Sequence, residues 1–257
     1  MNVLEEIISG VRQDLDASRI SRSQLMEMVE AAPSALDSLS PLRSHEVSVI
    51  AEVKRSSPSK GILAEISDPA ALAMAYQEAG AAVVSVLTER RRFAGSLADL
   101  AAVRAKVSIP VLRKDFMIDE YQFYEARAYG ADLVLLIVAA LTQDQLEEFH
   151  FLTRDLGMRA IVEVHTQQEL EIALNISPDL IGINSRNLKT LDVDRKTFAD
   201  LLPKIPRKIV RIAESGISSR ADVEFAKLHG ADAVLVGEAL VRGEDPSSSL
   251  RALLGQG

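Results

Sequence analysis

Gly130-Ala131-Asp132-Leu133-Val134-Leu135-Leu136-Ile137-Val138 passes from one kind of structure to another within three residues. The glycine closes a helix-like run, at the position past a helix end that favours glycine, and the apolar residues behind it open a strand. That run is apolar without alternation, the pattern of a strand covered on both faces in a parallel sheet. The same junction recurs as Gly80-Ala81-Ala82 and as Gly230-Ala231-Asp232. Gly80 and Gly130 are 50 positions apart, and Gly130 and Gly230 are 100 apart, so the spacing fits two strand–helix units in every 50 residues.

Working outward, strands are expected at 48–53, 82–87, 109–113, 132–138, 159–163, 180–184, 209–213 and 233–236. Helices are expected near 69–79, 96–106, 119–129, 142–156, 166–175, 195–202, 219–229 and 246–254. Eight such units fill residues 47–257, which favours a closed (β/α)8 TIM barrel over an open doubly wound sheet. No G-x-G-x-x-G follows the first strand, which also speaks against a dinucleotide-binding sheet. Residues 1–46 form an N-terminal helical extension, too short to bury a core of their own and therefore packed on the barrel. Val3, Leu4, Ile7, Ile8, Val11 and Leu15 mark an amphipathic helix over 2–17. Ser21-Arg22-Ser23-Gln24 reads as a capping box for a second helix through about Glu30, which Pro33 stops.

The composition excludes several function classes. A net charge of -8 argues against a general nucleic-acid or membrane-surface binder. With no cysteine there is no disulfide framework and no thiolate nucleophile or metal ligand. The four histidines, His45, His150, His165 and His229, form no H-x-x-x-H pair, so no zinc or other metal site is expected. No apolar run approaches the roughly 20 residues that span a bilayer. The start, Met1-Asn2-Val3-Leu4-Glu5-Glu6, lacks the basic region and apolar core of a signal peptide, so a cytoplasmic location is expected.

In such a barrel the chemistry belongs at the C-terminal strand ends. The first strand ends in Glu52 and Lys54, two residues apart and so on one face. The third ends in Arg113-Lys114-Asp115, the fifth in Glu163 and the sixth in Asn184, with Arg186 beyond. The seventh runs into Glu214-Ser215-Gly216 and the eighth into Gly237-Glu238. The opposite ends start with small or apolar residues such as Ala82, Ile109 and Ala233. Singly, each polar residue has a plainer reading. Lys54 neutralises Glu52, Lys114 is a solvated cation, Glu163 caps the helix from Thr166, Asn184 makes a turn, and Glu214 partners a lysine. Their convergence on one end raises the functional reading of the set. Gly216 and Gly237 let backbone N–H groups approach an anion closely, the loops after strands 7 and 8 being a common phosphate site in barrels. Ser215 belongs to the first of these loops, Ser57 adds a hydroxyl from the loop after strand 1, and Glu238 is expected to offer its backbone and turn its carboxylate away. A small anionic phosphorylated molecule is the expected partner.

These stretches are similar to a known family. Ile50-Ala51-Glu52-Val53-Lys54-Arg55-Ser56-Ser57-Pro58-Ser59-Lys60-Gly61 resembles the first-strand signature of indole-3-glycerol phosphate synthases. Ser85-Val86-Leu87-Thr88-Glu89 with Phe93 and Gly95-Ser96-Leu97, and Leu112-Arg113-Lys114-Asp115-Phe116, match as well. So do Ile183-Asn184-Ser185-Arg186-Asn187-Leu188 and Glu214-Ser215-Gly216-Ile217. Arg91-Arg92 stand where the family often carries aromatics. The resemblance implies that the chain closes the indole ring of 1-(2-carboxyphenylamino)-1-deoxyribulose 5-phosphate with loss of carbon dioxide and water, in tryptophan biosynthesis. It implies a carboxy-lyase, monomeric and monofunctional, with no metal or organic cofactor. Lys114 is then the candidate acid, provided neighbouring cations and partial burial lower its pKa towards neutrality. Glu163 is the first choice as its partner, with Glu52 and Lys54 as rivals for the last step, and Asn184 and Glu214 orient these groups. Arg186 would meet the substrate carboxylate, and Phe93, Phe116, Leu135 and Leu188 the anilino ring. Two other readings stay open: a Schiff-base aldolase with Lys114 or Lys54 as nucleophile, and a phosphate-binding barrel without catalysis.

Overall fold

Asp68, Ser96, Asp119, Thr142, Thr166 and Ser219 each turn a side-chain oxygen onto the free backbone N–H groups of the helix that follows. In the computed structural model, which describes residues 2–44, 46–243 and 245–256, these caps open six of the helices around a barrel. His45, one of the histidines weighed above, lies outside the described residues.

Eight parallel strands close on themselves: β1 (Ser48–Val53), β2 (Val83–Leu87), β3 (Val111–Lys114), β4 (Leu133–Ile137), β5 (Arg159–Val164), β6 (Leu180–Asn184), β7 (Val210–Glu214) and β8 (Ala233–Val236). Each pairs with the next in the chain, and β8 returns to β1. Helices α1 (Val3–Ser18) and α2 (Arg22–Ala31) precede β1. Between the strands lie α3 (Pro69–Glu78), α4 (Leu97–Arg104), α5 (Glu120–Ala128), α6 (Gln143–Asp155), α7 (Gln167–Asn175), α8 (Lys196–Leu201) and α9 (Arg220–Leu228). After β8 come α10 (Glu238–Val241) and α11 (Pro246–Leu254). Strand and helix ends fall within two residues of the sequence expectation. The largest offset in a strand is at β3, which starts at Val111 because Pro110 has no N–H to give the ladder. The elements not expected include α10 and a short antiparallel ladder of Ser56–Ser57 with Gly61–Ile62 in the loop after β1.

Gly80, Gly130 and Gly230 have φ of 100°, 84° and 98°, the left-handed turn that the repeated junction requires. The residues after them correct one expectation. The N-terminal end of the barrel is not simply small and apolar. Asp132 accepts from Val111 N at 2.8 Å, from Leu36 N at 2.7 Å and from Arg104 Nη1 at 2.7 Å. Its counterpart Asp232 accepts from the backbone and guanidinium of Arg211, at 2.8–2.9 Å. Each carboxylate thus staples the start of its own strand to the strand before it.

Two apolar layers hold the frame. Outward residues such as Val49, Val84, Val134 and Ile181 pack under the helices. Inward residues such as Ile50, Leu112, Leu133, Ile161 and Ile212 fill the barrel, and Leu4, Ile7 and Val11 of α1 join this inner layer. Farther along the N-terminal segment, Leu15 and Leu25 cluster with Tyr121 of α5, and Arg19 lies over the Tyr121 ring, 5.0 Å from its centroid.

Candidate active site

Side chains alternate across a strand, so the inward row of apolar residues continues, two positions on, into the polar residues of the mouth. Ile50 leads to Glu52, Leu112 to Lys114, Ile161 to Glu163, Leu180 to Asn184 past the bare Gly182, and Ile212 to Glu214. Register sets Asn184 beside Glu214 and Glu163 beside Ile137. Together they floor a cavity of about 730 Å³. All the residues singled out from the sequence line it: Glu52, Lys54, Ser57, Phe93, Lys114, Phe116, Leu135, Glu163, Asn184, Arg186, Leu188, Glu214, Ser215, Gly216, Gly237 and Glu238.

Lys114 stands at the centre. Its Nζ donates to Glu163 Oε2 at 3.2 Å and lies 3.3 Å from Glu214 Oε2. Burial on its own would depress the Lys114 pKa, but the carboxylates of Glu163, Glu214 and Glu52 outweigh it and hold the ammonium above its ordinary value. This overturns the expected shift towards neutrality. The cation next to it in sequence, Arg113, faces the other way and pairs with Glu125 at 2.9 Å and Asp115 at 3.2 Å.

The two carboxylates beside Lys114 are pushed apart. Burial would raise Glu163, but the Lys114 ammonium, His165 and the Asn184 amide together draw it below the usual carboxylate range. Glu214 is raised: burial penalises its charge, and repulsion from Glu163 adds to that against the pull of Lys114. Both Glu214 oxygens are buried without a hydrogen bond of good geometry among the described residues. One carboxylate is thus held ionised and the other inclines to keep its proton, the division of labour that acid–base pairs use. Glu163 does not cap α7; Thr166 does.

The bare positions make room for these groups. A Cβ on Gly182 would run into Glu214 Oε1, and one on Gly237 into Glu52 Oε2. Gly237, with φ of -125°, is outside the left-handed region, and the space it leaves is taken by the Glu52 carboxylate. Gly216 is the opposite case: it and Ser215 turn through φ of 73° and 67°. Glu52 Oε2 is 3.4 Å from Lys54 Nζ, so the pair is an ion pair and also part of the cavity wall.

On the phosphate side, Ser57 Oγ is buried with no hydrogen-bond partner among the described residues. The Glu238 carboxylate is engaged by Lys60 at 2.5 Å and Arg242 at 3.4 Å. Burial would raise it, but Lys60 and the cations beyond draw it down. Lys60 and Arg242 both line the cavity and were not singled out from the sequence. Arg186 Nη1 is braced by the Leu191 carbonyl at 2.9 Å.

The apolar wall is built by the loop after β2. Buried Glu89 accepts from the backbone N–H groups of Arg91, Arg92 and Phe93 at 2.7–3.0 Å. Phe93 is thereby presented to Phe116, with ring centroids 6.2 Å apart, and to Lys54, whose Nζ is 5.6 Å from its ring centroid. Arg91 and Arg92 do not enter the pocket. Arg91 takes Asp14 through two bonds of 2.7 and 2.9 Å, and Arg92 takes Glu6 at 2.8 Å. They strap α1 across the mouth, where Val3, Leu4 and Ile7 line the cavity. Helix periodicity marked those three as apolar but could not say which surface they cover. Among the described residues no group of three or more His, Asp or Glu side chains could hold a metal ion, and no helix is long and apolar enough to cross a membrane.

A sequence profile described as "Indole-3-glycerol phosphate synthase" matches residues 4–253. The indole-3-glycerol phosphate synthase of Kineococcus radiotolerans is 56% identical over 265 residues, covering 100% of this chain and 96% of its own. That of Streptomyces griseus is 54% identical over 259 residues, with the same coverage. Among solved structures, a 3-hexulose-6-phosphate synthase superposes with a TM-score of 0.67 at 14% identity, over 82% of this chain and 99% of that one. A tryptophan synthase complex from Pyrococcus furiosus gives a TM-score of 0.62 at 18% identity, over 82% and 98%. The two structures share the barrel fold; the sequence relatives carry more, and the chain belongs to the indole-3-glycerol phosphate synthase family.

Proposed function

We propose that the protein closes the indole ring of 1-(2-carboxyphenylamino)-1-deoxyribulose 5-phosphate, releasing carbon dioxide and water and leaving indole-3-glycerol phosphate. The observation that carries this reading is the Lys114 ammonium, held within 3.3 Å of two carboxylates under a pocket walled by Phe93 and Phe116. The phosphate takes the end with Ser57, Ser215, Gly216 and Gly237, where Lys60 and Arg242 supply positive charge. The anilino ring lies against Phe93, Phe116, Leu135 and Leu188, and its carboxylate meets Arg186 and Lys54.

Lys114 donates its proton to the ketone oxygen as the ring carbon that bears the carboxylate attacks the carbonyl carbon. Its charge stabilises the developing alkoxide even before transfer is complete. Carbon dioxide then leaves, and the electron pair it leaves behind restores the aromatic ring. Once Lys114 has given up its proton, its pull on Glu163 is gone, and Glu163 becomes the stronger base. Glu163 takes the proton released on the nitrogen side of the new ring, while Lys54, with Glu52 behind it, protonates the departing hydroxyl. Asn184 and Glu214 keep Glu163 and Lys114 in place. A Schiff-base route needs an uncharged amine, and the carboxylates around Lys114 work against one.

The test is direct. Purified protein and the anilino-deoxyribulose phosphate, with no metal added, are followed by indole fluorescence. A rising indole signal with release of carbon dioxide is expected; no signal with folded protein would overturn the reading.

A further inference from the structure

His165 is partly buried two positions beyond Glu163, and none of the steps above uses it. It does not line the mouth cavity but faces a groove on the flank of the barrel, lined also by Thr166, Gln167, Asp200 and Lys204. Its orientation is fixed from α7. Glu169 Oε2 accepts from the His165 backbone N at 2.7 Å and lies 3.0 Å from the ring Nδ1. With Nδ1 so held, the other ring nitrogen points inward, and Nε2 is 3.3 Å from Glu163 Oε1, an ion-pair contact without the alignment of a hydrogen bond. The second oxygen of that carboxylate, Oε2, is the one bonded to Lys114. Glu163 therefore stands between two cation-bearing groups, one oxygen towards each.

We propose that His165 is a positioning residue of the reaction: anchored by Glu169, it holds Glu163 Oε1, so that Oε2 stays ionised and turned to Lys114 and the substrate. This rests on the proposed ring closure for its kinetic consequences, but not for its effect on Glu163 itself. The groups that face His165 are Glu163 on its own strand and Glu169 on α7, with Asp200 of α8 and Lys204 beyond it lining the same groove, one of each sign. Burial would lower the imidazole, but Glu163 and Glu169 reverse that and raise it to about 9. The ring is thus a cation at neutral pH and loses that charge as pH rises through about 9. Removing the cation withdraws support from the ionised form of Glu163, so the Glu163 pKa must rise.

The experiment compares wild type, His165→Gln and Glu169→Gln, each checked for folding by circular dichroism. In substrate-free protein carrying ¹³C-labelled glutamate, the Glu163 carboxyl is titrated by NMR. In His165→Gln its midpoint is expected about one pH unit or more higher. With substrate, kcat of this variant is expected to fall about tenfold with KM within about twofold, and the acid limb of its pH profile to move up. Glu169→Gln keeps the ring but loosens it; there the alkaline limb, set by His165, moves down. An unchanged Glu163 midpoint in folded His165→Gln overturns the proposal. So does a rate loss equal at every pH, which a merely structural residue would give. A wild type that turns over no substrate would sink the proposed reaction and leave the NMR test of His165 standing.

Discussion

Both ends of the barrel carry charged residues, used in opposite ways. At the N-terminal end each carboxylate has its own guanidinium: Asp132 with Arg104 at 2.7 Å, Asp232 with Arg211 at 2.8 Å. Spare carboxylate capacity is taken up by backbone N–H groups. At the mouth one ammonium, Lys114, is shared by Glu163 and Glu214, with Glu52 close enough to raise it further. Glu214 has no well-formed hydrogen bond among the described residues. A fully partnered ion holds strands together and has no proton to offer. An ion shared among several partners can change its protonation state when a substrate arrives. What separates the stabilising end from the reacting end is pairing, not polarity.

That contrast can be broken most severely at Lys114. Lys114→Ala should lower kcat by about 10² or more while substrate binding is largely kept, measured by steady-state kinetics beside isothermal titration with product. Near-normal turnover would remove Lys114 from the acid role. The next largest effect should separate the two carboxylates. Glu163→Gln replaces an ionised group by a neutral one and should cost about 10² in kcat. Glu214→Gln copies the protonated acid already favoured there and should cost only a few-fold. Equal losses would contradict the division between them.

The N-terminal end should give the reverse result. Asp132→Ala leaves Arg104 and two backbone N–H groups without their acceptor and should cost about 3 kcal/mol of stability in a denaturant titration. Its kcat, measured where the variant is folded, should match wild type. The smallest effect is expected at the strap over the mouth. Arg91→Ala and Arg92→Ala remove half-exposed ion pairs to α1, which are worth little each. KM should rise about twofold at low salt, and the difference should shrink as salt screens the pairs in the wild type.

The barrel was legible because one junction repeats. Gly130-Ala131-Asp132 announces a helix end, a left-handed turn and a buried strand within three residues, and local chemistry decides each of them. The mouth residues were legible because strand position alone puts them at one end. Legibility failed where an outcome depended on neighbours distant in sequence. Arg113 beside Lys114 suggested a depressed lysine, yet alternation sends Arg113 outward, and three carboxylates from β1, β5 and β7 decide the charge. Asp132 and Asp232 stood in the quoted repeat, but their guanidinium partners come from α4 and β7. His165 follows Glu163 as Lys54 follows Glu52, with one residue between. The same spacing shows a pair of charges at β1 but not at β5, because an imidazole is not charged by default and Glu169, which makes it so, sits on the next helix.

The central claim is that Lys114 enters the reaction as a fully charged ammonium held by carboxylates, and not as an amine tuned towards neutrality. ¹⁵N NMR of the lysine Nζ groups, with Lys114 assigned through Lys114→Arg, follows that proton directly. The structure predicts that Lys114 stays protonated beyond the ordinary lysine value of 10.5 in the free protein. A Lys114 that loses its proton below that value, towards neutral pH, would contradict the account.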